Sequence, residues 1–517
     1  MKLVYFTSFG FSQSKDGDVS SPVASSRYRI LLPGQILARL GFDIEISVLT
    51  ENHLRHPERA AETVQADIAI IAKLTDPRAA SFVAALKKRG IHIVVDFCDD
   101  HFGHPMLGPL YQSLAATADQ IVCNTEQMAG RIRVVADKQA VAIFDPVEGR
   151  KGQVAFSPGF PAVKCVWYGF PTNLPYLFKR LTQWMSKGCP YPLRVEVITQ
   201  NSHETASEIA SFNQTYGDRC MLALRPWSTD AVWLAIAAAD VVLLPSEVNE
   251  MTRPKSANRL MEAIYGGRLA LATMLPSYLE FQEYCEADVE PASLALAVKD
   301  PARYCQKIAS GQDYIEARYL PLHAALSWRN LLGRDLLGQG NSSAPLKLNL
   351  GCGDKILSDY VNVDVVQSRA GFRPDVVCDL RRLKPFKDAS VDEILSVHVV
   401  EHFWRWEVRD TLLEWKRILK SGGKIVLECP NLEVACKTFL ENPIKNSAEN
   451  ADGQRTMWVF YGDPQWHDPY MVHRWGYTPE SLKALLFECG YTNVRQEPAQ
   501  YKLREPRDMR IVGEKPF

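Results

Sequence analysis

The sequence predicts an α/β protein made of three doubly wound units, and three observations carry that expectation. Short apolar runs and amphipathic helical runs alternate from the first residue to about position 330, with a Gly- and Pro-rich break near position 150. A linker-like stretch, "LLGQGNSSAP" at 336–345, is followed by a fresh start of the same alternation at "KLNLGCGDK", 347–355. The length, 517 residues, exceeds the ~250 to 300 at which a single core stops growing, so several domains are required. Strand and helix in regular alternation mean parallel sheets covered on both faces.

Taken in order, "KLVYFTSF" is an apolar strand, "SRYRILLPGQILARLG" a helix stopped by Gly41, and "DIEISVL" a strand. "ADIAIIAKL", "FVAALKKRG", "IHIVVDF" and "ADQIVCNT" continue the cycle and complete a unit over 1–150. "FDPVEGRKGQVAFSPGFPA" reads as a hinge. The second unit, 151–335, runs through "VKCVWYGF", "NLPYLFKRLTQWMSK", "LRVEVITQ", "DAVWLAIAAA", "DVVLLPS", "SANRLMEAIYGG" and "LALAT". With 336–345 as linker, the third occupies 346–517. Near its end Thr478 is an N-cap, Pro479 a first helical residue and Gly490 a stop. "MRIVGEKPF" is the closing strand.

Composition narrows the function. Apolar residues at 46% and charged residues at 23% describe a soluble globular chain. A formal net charge of −1 offers no global attraction to nucleic acid or an anionic membrane. The twelve cysteines include no C-x-x-C pair, which reads as reduced, mostly buried thiols without a structural zinc. The opening apolar run is too short for a signal peptide, and "AVWLAIAAADVVLLP" falls short of the ~20 residues of a membrane span. The expectation is a cytoplasmic protein, with peripheral contact at the inner face of a membrane left open by the aromatics of "FPTNLPYLFKRLTQW". The oligomeric state is not legible.

The chemistry of the third unit begins at Gly351 and Gly353, where a strand delivers its carboxyl end to a turn that permits close backbone approach. "YVNVDV" ends a second strand at Asp364, "DVVCDL" a third at Asp379, and "DEILSVHVVEHF" a fourth at His398, Glu401 and His402. "LLEWKRILKSGGKIVLECPN" adds a helix, a Gly-Gly turn and a fifth strand. This series resembles the class I S-adenosylmethionine-dependent methyltransferases over 346–517. The resemblance implies that Asn349, Gly351 and Gly353 border the methionine end of S-adenosylmethionine, that Asp364 holds the ribose, and that Asp379 and Leu380 flank the adenine. Gly351 and Asp364 are only thirteen positions apart, which abbreviates the family's first helix to "KILSDY". Methyl transfer to a hydroxyl needs proximity and a base. His398, His402, His467 and His473 are the candidates, with His467 preferred for its place on a late loop, and Glu401 beside His402 either assists or holds the strand end. A sugar acceptor leaves a metal open, yet no cluster has metal-ligand spacing and no metal is assigned.

In the first two units the strongest signal is "LLPSEVNEMTRPKSANRLMEAIYGGRLALAT". Lys255 precedes a helix whose free N–H groups suit a diphosphate, and Glu262 lies two turns on, within reach of a ribose. With "YGFPTN", "RPWS" and "DVVLLPS", this resembles the retaining GT-B glycosyltransferases over 1–330. The resemblance implies a nucleotide-sugar donor in the second half and an acceptor in the first. Arg253 and Lys255, with Arg225 behind them, are the diphosphate candidates. The family's Glu-x7-Glu pair meets Pro254 in place of its first glutamate, leaving that contact absent or supplied by Glu247 or Glu250. Asp99 and Asp100 follow a strand and either orient an acceptor hydroxyl or cap the next segment. Arg27 and Arg29 either meet an anionic acceptor or are helix-surface charges.

Together these readings predict a bifunctional glycosyltransferase and O-methyltransferase acting on a glycan or glycolipid acceptor in bacterial surface polysaccharide synthesis. The alternative is a methyltransferase carrying a non-catalytic, glycan-binding GT-B-like module.

Overall fold

The computed structural model describes residues 1–13, 19–158, 162–287, 290–336, 345–447, 456–501 and 507–517. The chain divides into two compact units, Met1–Gln35 with Phe42–Trp328, and Ile36–Gly41 with Arg329–Phe517. Most of the expected linker, 337–344, and part of the hinge, 159–161, lie outside the described residues.

The first unit holds two six-stranded parallel sheets. One is built from β1 (Lys2–Thr7), β2 (Asp43–Val48), β3 (Ile68–Ala72), β4 (His92–Phe97), β5 (Gln120–Cys123) and β6 (Val141–Ala142), in the order β2-β1-β3-β4-β5-β6. Every residue of β3 is buried, the pattern of a strand covered on both faces. Phe6, Phe82 and Phe97 lie in the core beneath it. The second sheet contains β7 (Val163–Tyr168), β8 (Leu193–Thr199), β9 (Cys220–Pro226), β10 (Val241–Leu244), β11 (Leu269–Ala272) and β12 (Glu286–Ala287). Its order, β9-β8-β7-β10-β11-β12, is the doubly wound 3-2-1-4-5-6 arrangement.

The single helix expected at 26–41 is interrupted. A short α turn, Ala24–Ser26, passes into a π turn, Arg27–Leu31, before the α-helix Leu32–Arg39. All five residues of the π turn are buried, so Arg27 and Arg29 are not surface charges. The Arg29 guanidinium donates to both oxygens of Asp96, at 2.8 and 2.7 Å, and to Asp145 at 3.1 Å. Arg27 donates to Glu148 at 2.7 Å.

The second unit has one seven-stranded sheet: β13 (Lys347–Leu350), β14 (Val361–Asp364), β15 (Val376–Val377), β16 (Val391–Val397), β17 (Leu419–Pro430), β18 (Thr492–Glu497) and β19 (Asp508–Glu514). The order is β15-β14-β13-β16-β17-β19-β18, with β19 antiparallel to both neighbours. The strand expected to close the sheet does so from between β17 and β18. Thr478 accepts from the Ser481 N–H at 3.1 Å and caps the helix Pro479–Glu488 as expected. The abbreviated helix "KILSDY" is not a helix: 351–360 is a series of turns. The amide of Asn362 holds it, accepting from Leu357 N–H at 2.9 Å and donating to the Leu357 and Tyr360 carbonyls at 3.0 Å each.

Asp96 is the sole two-oxygen partner of the buried Arg29 guanidinium among the described residues. Asp96→Ala leaves Asp145, at 3.1 Å, as the one carboxylate still paired with that charge among the described residues, and the expected cost is at most about 3–5 kcal/mol of first-unit stability. A denaturant melt of the purified variant, followed by near-UV dichroism, measures it.

Candidate functional site

In the second unit the site is set by the turn after β13. Gly351 has φ +71°, and a Cβ there would lie 2.4 Å from a methyl of Val399, at the end of the neighbouring β16 segment. Gly353, at φ +54°, donates its N–H to Asp364 Oδ2 at 2.7 Å, and Val366 N–H donates to Oδ1 at 3.0 Å. Each carboxylate oxygen thus keeps lone-pair capacity for a ligand hydroxyl. Asn349 is buried and donates to the Lys355 carbonyl at 2.8 Å and to Asn362 at 3.0 Å, fixing the turn.

These residues line a cavity of about 580 Å³, within the ~300 to 1,000 Å³ of small-molecule sites. Asp379 and Leu380 form another part of its wall. Asp379 also pairs with Arg381 at 2.9 Å, which in turn reaches Glu407 at 2.9 Å. Trp466, Tyr470, Met471 and His473 close the opposite side. Arg369 lies over the Trp466 ring at 5.4 Å and pairs with Asp468 at 2.9 Å, anchoring that loop.

The structure separates the histidines. His398, His402 and His473 line the cavity, whereas His467 does not; it is exposed at φ +47° between the anchored Trp466 and Asp468. The preference for His467 as base is therefore corrected. His398, at φ +57°, sits between two buried carboxylates, with Nδ1 3.2 Å from Glu401 and Nε2 3.4 Å from Asp508. The His402 and His473 rings meet edge to face at 4.8 Å. Burial carries His402 down to about 4 against the pull of Glu401, and also lowers His473. Burial alone would raise the Glu401 carboxyl, but His398, His402 and His473 together bring it to about 2. Sequence reasoning missed Asp508 and Arg369, and no local pattern marks them. It also missed Trp404 and Trp406, which are exposed and stacked at 4.8 Å with Arg474 over Trp404 at 5.3 Å.

In the first unit, Glu262 lies buried on the helix Asn258–Tyr265, and its Oε1 accepts from the Tyr28 hydroxyl at 2.5 Å. Burial, aided by Glu148, raises its carboxyl to about 7 despite Tyr28, Tyr168 and Arg27. Pro254, in place of the family's first glutamate, offers its carbonyl to the Thr125 hydroxyl at 3.0 Å. Lys255 precedes the same helix, and its ammonium is lowered by desolvation and by Arg259. Arg259, unmarked by sequence reasoning although one turn from Lys255, lies over Trp167 and Tyr168, and its buried Nε and Nη2 have no hydrogen-bond partner. A Cβ at Gly169 would stand 3.6 Å from its guanidinium carbon, so the "YGFPTN" turn borders this cation.

The other candidates disperse. Arg253 is exposed, and Arg225 pairs with Glu196 at 2.6 Å on adjacent strands. Glu247 pairs with Lys179 at 2.5 Å on the surface, and Glu250 is exposed. Asp100 both accepts from Phe102 N–H at 3.1 Å and pairs with Arg131 at 2.8 Å, the capping role of the two foreseen. Asp99 pairs with Lys73, which overcomes burial and lowers the carboxyl.

The first unit carries two six-stranded parallel sheets and the second a seven-stranded sheet with one reversed strand, a mixed α/β architecture throughout. Residues 337–427 match a family model described as a methyltransferase domain. Among solved structures, the chain is similar to a glycosyltransferase from Rickettsia africae, at 10% identity and TM-score 0.48 over 66% of this chain and 99% of that one. It is similar to the E. coli trehalose-6-phosphate structure with UDP-2-fluoro glucose bound, at 12% identity and TM-score 0.43 over 65% and 100%. The S. aureus TarM structure with UDP matches at 11% and 0.42 over 54% and 59%. A search of curated proteins finds no significant match.

The Glu262 carboxyl, ordinarily near 4.5, titrates at about 7 when folded. The folded chain then binds more protons than the unfolded one between those values, so stability falls as pH rises from about 4.5 to about 7, by at most about 3 kcal/mol. Glu262→Gln is expected to flatten that slope in unfolding midpoints measured across the interval.

Proposed function

We propose that the chain is a bifunctional transferase. Its first unit transfers a sugar from a nucleotide-sugar donor, and its second O-methylates a glycan with S-adenosylmethionine, in surface polysaccharide or glycolipid synthesis. The observation that carries the methyl-transfer reading is the Asp364 carboxylate, held by Gly353 and Val366 at the mouth of a Gly-x-Gly turn and lining a cavity of cofactor size. In this reading Asp364 takes the ribose hydroxyls, and Gly351 and Gly353 admit the methionine end. Leu380 and Asp379 flank the adenine.

The acceptor hydroxyl enters on the side of His398, His402 and His473. The stacked Trp404 and Trp406 faces, beside cavity residues Phe403 and Glu407, support a sugar ring as acceptor, because flat apolar faces with polar edges suit such a ligand. In the first unit the unpartnered Arg259, Lys255 and the free N–H groups of the helix Asn258–Tyr265 are a charge-matched cradle for a diphosphate. No helix among the described residues is long and apolar enough to cross a membrane. The reading places the enzyme in the cytoplasm or peripherally at the inner face of a membrane.

A second reading rests on Glu262. Tyr28 occupies the carboxylate that would hold a donor ribose, and Pro254 removes its usual companion. The first unit then binds glycan without transferring sugar.

Calorimetric titration of the full-length protein separates the two. Asp364→Ala is expected to weaken S-adenosylmethionine binding at least about tenfold and leave nucleotide sugars unaffected. Lys255→Ala is expected to weaken a nucleoside diphosphate alone. S-adenosylmethionine binding with no response to any nucleotide sugar in the panel favours the second reading, and failure to bind S-adenosylmethionine overturns the methyl-transfer assignment.

A further inference from the structure

Three lone-pair groups converge on one wall of the second unit's cavity. Glu401, His402 and His473 each offer one ligand atom, and these atoms all lie within 4.8 Å of one another. The ring tautomers are fixed from behind. His402 Nδ1 is 3.1 Å from the Val472 carbonyl, and His473 Nδ1 is 2.9 Å from the Val459 carbonyl. A carbonyl only accepts, so each Nδ1 carries the proton and each Nε2 presents a lone pair.

The His473 Nε2 lies 3.9 Å from Glu401 Oε1. Glu401 itself is 2% exposed, and neither of its oxygens accepts a hydrogen bond. His398 Nδ1 comes within 3.2 Å of Oε1, but outside hydrogen-bond geometry. A buried carboxylate without donors, facing two imidazole lone pairs, is an unfavourable arrangement unless a cation joins them.

We propose that Glu401, His402 and His473 are the protein ligands of a divalent first-row transition ion whose open positions face the cofactor cavity. Two imidazoles and one carboxylate form a donor set used for zinc and for non-haem iron. The carbonyls of Val472 and Val459 supply the outer hydrogen bonds that orient metal-bound histidines. His398 lies between Glu401 and Asp508, 3.2 and 3.4 Å from their carboxylates. Metal–nitrogen bonds of about 2.0–2.1 Å in tetrahedral geometry place neighbouring ligand atoms roughly 3.4 Å apart, so closing the site from 4.8 Å takes about 1.5 Å of combined side-chain movement.

The frame is already rigid: the N–H groups of Arg474 and Trp475 donate to the Glu401 carbonyl at 2.8 and 3.2 Å. The two ligand segments are seventy positions apart in the chain, as the His402–Val472 contact shows, which is why sequence spacing gave no metal signal.

Resting on the methyl-transfer reading, the ion is assigned the acceptor hydroxyl as a further ligand, lowering its pKa. The O–H proton leaves to solvent and the oxygen pair bonds the methyl carbon. The C–S pair returns to sulfur as the neutral thioether.

The test strips full-length protein with a chelator and titrates it with Zn²⁺ alone, then Co²⁺ alone for its ligand-field spectrum, with S-adenosylmethionine calorimetry in parallel. Wild type is expected to bind one ion more per chain than either Glu401→Gln or His473→Asn, or to bind it at least about tenfold more tightly. Equal metal binding by wild type and both variants overturns the proposal. Loss in one variant counts only where its near-UV dichroism and melting midpoint match wild type, which shows an intact fold; His402→Gln substitutes for a variant that fails this. Zn²⁺ binding without S-adenosylmethionine binding keeps the ion site and sinks the methyl-transfer reading; the reverse does the opposite.

Discussion

The close approach of Gly351 to Val399 is the constraint on which the second unit's site depends. The backbone after β13 must run against the segment after β16 with no side chain between them, because a Cβ would stand 2.4 Å from Val399. That approach puts the Gly353 N–H onto Asp364 and, on the other side, places His398, Glu401 and His402 on either side of Val399 at the same sheet edge. Cofactor groups and acceptor groups face one cavity because two parallel strands, adjacent in the sheet, end together there.

The two units differ in how much of their polar capacity is already used. Asp364 is positioned by two backbone N–H groups and keeps room to accept more. Glu262 is buried, protonates near neutrality and is engaged by Tyr28. The cations around it are arranged in the opposite sense, with Arg259 braced on aromatic faces and lacking acceptors. An anion entering there would satisfy what the protein leaves open, whereas a ribose would have to displace a tyrosine. In the second unit the imbalance is of the other sign: acceptors converge without donors.

The alternation of apolar strands and helices was legible because strands such as β3 are buried on both faces and read as unbroken apolar runs. The helix His203–Tyr216 and the strand β9 were not foreseen. That helix buries only Thr205, Ile209 and Phe212, a narrow stripe in an otherwise polar segment. Likewise the π turn at Arg27–Leu31 follows from tertiary partners, Asp96, Asp145 and Glu148, that lie far along the chain. Within the site, Gly351, Gly353, Asp364, Asp379 and Leu380 carried a local pattern and do line one cavity. His467 misled because it sits in a loop rich in aromatic residues whose neighbours, Trp466 and Asp468, are the ones drawn to Arg369. Nor can any local pattern tell that His473 comes back to Glu401.

The position of β19 has a consequence for the order in which the chain is made. As the ribosome releases the chain, β18 emerges before β19, yet among the described residues its sole pairing is with β19. Until β19 arrives, the Lys424–Pro430 stretch of β17 has one side unpaired. Open, apolar edges of that kind recruit other chains. Asp508, the first residue of β19, is also the carboxylate behind His398. Closing the aggregation-prone edge and completing the support of the histidine cluster are therefore the same late event.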